Sequence, residues 1–311
     1  MEKHKAYINE WKNVSDDVIR LTKILAGKIF KHSQSVPRKY SKVNRKVYLT
    51  DKFPCNIDEC FPNDNKFGFD ILNVEYVLYM VDNVQEYNSL SSDGDTVANS
   101  AFSDYDKRQL TIVSGIIGGY MSPDYIQDIM HEVNHLFEYG NGMEKKVSLY
   151  DKAIELVKNN KTESMASIVG KLAYMSFPHE IDAFVHQFYG FLIQNHPKGD
   201  FNSLLRYSMY NNMIQLRYSL NGDVFESGDN INSVLKELGM NREQFNKRIR
   251  YAISKLKRKL HNAYCRYRIE YPLNSTVESI IKHDVIYSDM FEEYKQRYPD
   301  IESDIESIYL F

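Results

Sequence analysis

Apolar and polar positions along the 311-residue chain follow two rhythms, and the change between them divides it. From Val14 to His32, Val18, Leu21, Ile24, Leu25 and Ile29 recur at helical spacing. Ser15 stands at the cap position, and Asp16 and Asp17 suit the positive end of a helix dipole. This predicts a first helix. Residues 33–70 lose the period and are punctuated by Pro37, Pro54 and Pro62, so they read mostly as loop with a short strand around Val47–Leu49. Val74–Val81 is dense in β-branched and aromatic residues, as a strand requires. Ala98–Ser103 and Gln109–Ser114 flank the polar run Asp104–Arg108 as the arms of a hairpin. A small antiparallel sheet is therefore expected before Gly115, with the glycines of 115–119 as a bend from sheet to helix.

From Ser122 onward the period is that of helices. Ser122-Pro123-Asp124 supplies a capping hydroxyl, a proline where its missing N–H costs nothing, and an acid. Ile126, Ile129, Met130, Val133 and Phe137 then recur on one face, and Gly140 fits just past the end. Further helices are predicted near 144–159, 163–175, 179–194, 202–220, 230–238, 242–268 and 276–296. The fold class this gives is α+β, mainly helical. Residues 1–222 are expected to form one domain, and 223–311 a helical C-terminal extension packed on it.

The Lys and Arg residues, 39 against 42 acids, leave a net charge of −3, which excludes a surface basic all over and wrapped in nucleic acid. No apolar run approaches the ~20 residues that span a bilayer, so no membrane partner is expected. The charged start, Met1-Glu-Lys-His-Lys, has no apolar core of a secretory signal. Cys55, Cys60 and Cys265 are too few and too irregular for a disulfide framework. A cytoplasmic protein is the expectation. Heavy use of Tyr, Lys, Asn and Ile suggests an AT-rich genome, such as that of a phage or gut bacterium.

Candidate chemistry lies in His131-Glu132-Val133-Asn134-His135, inside the helix that follows Ser122. Residues four apart stand one turn above each other, so both imidazoles can point into the same space. Two neutral ring nitrogens there can fill two corners of a zinc tetrahedron at ~2.0–2.1 Å. Glu132 projects beside such an ion, where it can accept a proton from a water whose pKa the metal lowers to ~7. A third protein ligand must come from elsewhere, because Glu138 and Asn141 stand where an extended His-x-x-Gly-x-x-His motif would have Gly and His. Glu180 is the best candidate, in Pro178-His-Glu-Ile-Asp-Ala183. Pro178 suits a helix start, and Ala183 is small enough for two helices to pack closely. His179 and His186 compete for the same role. A Tyr, His or Arg should stabilise the developing oxyanion, but among 24 tyrosines none stands out.

With these residues the chain resembles the gluzincin-type zinc peptidases, in which a helix bearing HExxH is followed by one bearing Glu-x-x-Ala or similar. It is also similar to metallopeptidase-like proteins of phages and gut bacteria. The resemblance covers residues from about 74 to 194 and rests on His131, Glu132 and His135, with Glu180 and Ala183 behind them. It implies a Zn²⁺ cofactor, a peptide or protein substrate, and a zincin fold whose edge strand pairs with an extended peptide above the metal helix. Gln109–Ser114 occupies the expected place of that strand. Two departures stand out: the gap from His135 to Glu180 leaves room for an inserted helix, and Phe184 replaces the acid that often buttresses a histidine, leaving Asp182 as one substitute.

Two further features carry weaker signals. Cys55 and Cys60 have no partner pair and read as ordinary thiols. Residues 242–268 hold ten Lys/Arg against one acid, Glu243, after a short helix and a Gly239 turn, the outline of a helix-turn-helix. The apolar stripe Phe245, Ile249, Ala252, Ile253, Leu256 and Leu260 favours instead an amphipathic helix packed on the main domain. The alternative to an enzyme is therefore a phage structural or regulatory protein on a peptidase-like scaffold, contacting nucleic acid or a partner through this basic helix.

Overall fold

The computed structural model describes residues 14–41, 46–87, 101–140, 147–160, 164–221 and 231–272; the helix predicted near 276–296 lies outside them. Helix α1 (Asp16–Ser33) comes first, followed by strands β1 (Lys39–Ser41) and β2 (Lys46–Asn56), the short helix α2 (Ile57–Cys60) and β3 (Ile71–Val81). β4 (Ala101–Asp104), β5 (Gln109–Ile117) and β6 (Tyr120–Met121) complete one open sheet, ordered β1-β2-β3-β5-β4 with β6 beside β5. Leu72, Val74, Tyr76 and Leu78 alternate into the core from β3, joined by Leu110 and Ile112 from β5.

This sheet corrects the sequence reading in three ways. It is mixed rather than antiparallel: β3 and β5 pair in parallel from Asn73↔Gln109 to Val81↔Ile117, because β4 comes between them in the chain and runs antiparallel to β5. β5 is interior, and the edge on that side is β4, which pairs with β5 from Ala101↔Ile112 to Asp104↔Gln109. Gln109–Ser114 is therefore not the edge expected to meet a peptide. Finally, β2 runs eleven residues through Pro54, where a loop was expected. β1 covers β2 only from Lys46 to Tyr48, so Pro54 stands on an otherwise open edge, where a proline is tolerated.

The helical half begins with α3 (Tyr125–Gly140), then α4 (Val147–Asn159), α5 (Met165–Met175) and α6 (Pro178–Asn195). α3 packs with α1 against the sheet, burying Tyr125, Ile126, Ile129, Met130, Val133 and Leu136; the Tyr125 hydroxyl donates to Ala26 O on α1 at 3.0 Å. The start of α3 is not capped by Ser122. That hydroxyl is taken up by Asp124 and, at 2.8 Å, by Ser114. Gln194 near the end of α6 does the work instead, accepting from Ile126 N–H at 2.9 Å and donating to Ser122 O at 2.7 Å. Ser15 likewise holds the cap position of α1 without a side-chain cap bond.

α6 is buried almost all round, which is why its amphipathic signal is weak. One side meets α3; the other meets α10 (Arg242–Glu270), which follows α7 (Phe201–Leu204), α8 (Met209–Asn221) and α9 (Ile231–Glu237). The single helix predicted over 202–220 is broken at Ser208, whose backbone is extended. α10 buries all six residues of its apolar stripe. Of its cations, Lys259 pairs with Asp182, Arg248 reaches Ser176, and Arg268 donates to Pro197 O and Gly199 O. Arg266 binds Val14 O, Asp16 and Glu270. These four cations brace the helix rather than face solvent. No described helix is long and apolar enough to cross a membrane.

Candidate metal centre

α3 and α6 run antiparallel. Their contacts descend in opposite senses: Gln127 against Gly190, His131 against Phe184, His135 against Glu180. This brings the first turn of α6 to the C-terminal half of α3. There the His131 and His135 Nε2 atoms lie 3.2 Å apart. Glu180 Oε2 is 3.8 Å from His131 Nε2, and Oε1 is 3.7 Å from His135 Nε2. Tetrahedral zinc with bonds of ~2.0–2.1 Å sets its ligand atoms about 3.3–3.4 Å apart, so the nitrogens fit and the carboxylate stands slightly wide. Glu180 is fully buried, and its Oε2 accepts no hydrogen bond from the described residues. A buried carboxylate oxygen without a donor is costly, and a cation facing the two imidazoles would satisfy it. The donor set of two imidazoles and a carboxylate suits zinc or another divalent transition metal.

Electrostatics agree with the geometry. Burial pulls the His131 imidazole down to about 4 and His135 well below its ordinary value, so both rings are neutral with lone pairs to donate. Burial raises Glu180 to about 7, against the hydroxyls of Tyr174 and Tyr150, which favour its charged form. Glu132 is pushed up to about 8 by burial, while the Ser103 hydroxyl and amide pull it back. Without a cation the cluster favours neutral groups; a divalent ion would favour both carboxylates.

His131 Nδ1 is buried without a hydrogen-bond partner among the described residues. Its ring is held by packing, with Phe184 at 5.2 Å and the His135 ring edge-on at 4.8 Å. Phe184 thus restrains the ring by contact and offers Nδ1 no acceptor. Asp182 does not take that part: its carboxylate pairs with Lys259, and its carbonyl accepts from His186 Nδ1 at 2.8 Å. His186 is no ligand either, because its Nε2 accepts from the Ser15 N–H at 2.9 Å. His179 lies at the site, its Nε2 3.5 Å from Glu180 Oε1.

A cavity of about 750 Å³ opens beside His135, between the edge strand β4, α3 and the α4–α5 hairpin. Ser103, Glu132, Tyr139, Tyr150 and Tyr174 line it, and the Ser103 hydroxyl donates to Glu132 Oε2 at 2.8 Å. Sequence reasoning missed Ser103, Tyr150 and Tyr174. One signal pointed near the two tyrosines, the long gap between His135 and Glu180, but no spacing rule ties a tyrosine to a ligand on another helix, and none pointed to Ser103. Gly190 was also missed: a Cβ there would lie 2.8 Å from Gln127 Cα, so this glycine marks a close approach of the two helices. Gly140 does not sit past the end of α3 but is its last residue, pressed against Phe67 O, which would lie 2.4 Å from a Cβ.

Cys55 and Cys60 are buried free thiols. The glycines at 118 and 119 turn the chain with positive φ from β5 into the short paired strand β6, where a bend from sheet to helix was expected, and Gly115 lies within β5. No protein-family model, no curated protein and no solved structure matches this chain.

Proposed function

We propose that the chain is a zinc-dependent peptidase of the gluzincin kind, with His131, His135 and Glu180 as the metal ligands and Glu132 as the general base. The convergence of two neutral imidazole nitrogens and a buried carboxylate oxygen that accepts no hydrogen bond from the described residues carries the reading. The position of β4, an edge strand that shares the cavity with Glu132, supports a peptide lying extended along it.

The ion, when bound, supplies Lewis acidity toward a carbonyl and a water. Glu132 takes the proton from the attacking water and delivers it to the leaving amine. The Ser103 hydroxyl keeps one oxygen of that carboxylate occupied and leaves the other for the proton. The cavity walls, among them four tyrosines and the residues of β4, bind the peptide and exclude bulk water.

The test is the metal content of purified wild type, His131→Ala and Glu180→Ala. About one equivalent of zinc is expected in the first and little in the others; equal zinc in all three defeats the assignment. Glu132→Gln should keep the zinc and lose cleavage of labelled casein by about 10²–10⁴-fold. Zinc-loaded wild type with no more activity than Glu132→Gln would leave a metal protein that is not this enzyme.

A further inference from the structure

The chain between His135 and Glu180 folds as a helical hairpin, α4 and α5, and two of its side chains, Tyr150 and Tyr174, act on the candidate ligand, Tyr150 through a hydrogen bond to one named oxygen. The two oxygens of Glu180 are treated differently. Oε1 accepts the Tyr150 hydroxyl at 3.0 Å and lies 3.5 Å from His179 Nε2. Oε2 faces His131 Nε2 at 3.8 Å and accepts no hydrogen bond from the described residues. A carboxylate is symmetric about its last torsion, so nothing in Glu180 itself distinguishes the two atoms. A donor fixed against one of them does.

Tyr150 is fixed by packing. Its ring lies 5.5 Å from Tyr174, 5.2 Å from Phe177 in an edge contact, and 5.0 Å from His179. The backbone beneath it is fixed too. Gly170 on α5 approaches α4 so closely that a Cβ there would lie 2.8 Å from Ala153 O. The position of the hydroxyl is therefore set by the hairpin and not by a flexible side chain. The chemistry of the donor matters as much. A lysine or arginine in this place would neutralise the carboxylate and compete with a cation, whereas a phenol orients it and leaves its charge in place.

We propose that Tyr150 is a positioning residue for the metal centre. By holding Glu180 Oε1, it makes Oε2 the single ligating oxygen, and the α4–α5 hairpin is the element that delivers it. This rests on the reading of His131, His135 and Glu180 as a metal site. It assigns a role to a segment that otherwise reads as an insertion. The carboxylate approaches the ion through one oxygen, which leaves room on the cavity side for water or substrate.

Tyr150→Phe removes the hydroxyl and keeps the ring in place. Zinc affinity, measured by competition with a chromophoric chelator, should fall by about 10–100-fold. The visible spectrum of the cobalt-substituted protein should lose intensity as the freed carboxylate turns to offer both oxygens. The urea midpoint of the metal-free variant should match the wild type, separating lost orientation from lost packing. In a Glu180→Gln background the same substitution should change zinc affinity no further, since Tyr150 acts through that carboxylate. An equal loss in both backgrounds would overturn the proposal. So would unchanged affinity and spectrum in Tyr150→Phe while the wild type binds zinc, and that result would leave the metal site standing. Wild-type protein that takes up no zinc would remove the site and this role together.

Discussion

Gly190→Ala adds one methyl group at the contact between α3 and α6. The new Cβ would lie 2.8 Å from Gln127 Cα, 3.1 Å from its N and 3.3 Å from its Cβ. Two of these are backbone atoms, which cannot rotate away. Ordinary contact begins near 3.4 Å, so the helices must part by about 0.6 Å or bend. Overpacking of this kind costs about 1–3 kcal/mol. Alanine recovers about 0.5–1 kcal/mol as the better helix residue. A net loss of about 1–2 kcal/mol in urea unfolding is expected. Because Glu180 and the two imidazoles sit on opposite sides of this contact, the separation also widens the ligand set. Zinc affinity of the folded variant should drop on the order of tenfold, as when support around a ligand is disturbed. Stability equal to or above the wild type would mean that only helix propensity had changed. The antiparallel contact of α3 and α6 would then be wrong, and with it the geometry of the candidate site.

Two further outcomes follow from residues away from the cavity. Burial holds the His186 imidazole down from 6.5 to about 4. Its folded form binds fewer protons than the unfolded chain, so the stability it contributes is complete above about 6.5 and lost as the pH falls toward 4. Between pH 7.5 and 5 the wild type should lose about 2 kcal/mol more than His186→Gln in urea titrations, and parallel losses would count against a buried neutral ring. Arg266→Met removes the donors to Val14 O and Asp16 that fasten α10 to the start of α1. It should cost about 2 kcal/mol, read from the same denaturation curves, and no change would show that the brace is idle.

What the sequence determined by itself is local. Helical spacing located α1, α3, α6 and α10, because each has one consistent apolar stripe or a clear start signal, and the four-residue interval put His131 and His135 on one face. Pro178 at the start of α6, with the small Ala183 one turn on, made Glu180 the candidate from the second helix. Tertiary structure decided the rest. The parallel pairing of β3 with β5, and the place of β4 as edge, is a choice of strand neighbour that leaves no trace in alternation. The start of α3 is satisfied by Gln194, 68 residues away from Ile126, so local capping chemistry could not reveal it. The selection of Tyr150 from 24 tyrosines came only when the hairpin folded back on α6. Periodicity reports which face of an element is buried; it carries no information about what lies across from that face, and the site is made of such cross-element distances.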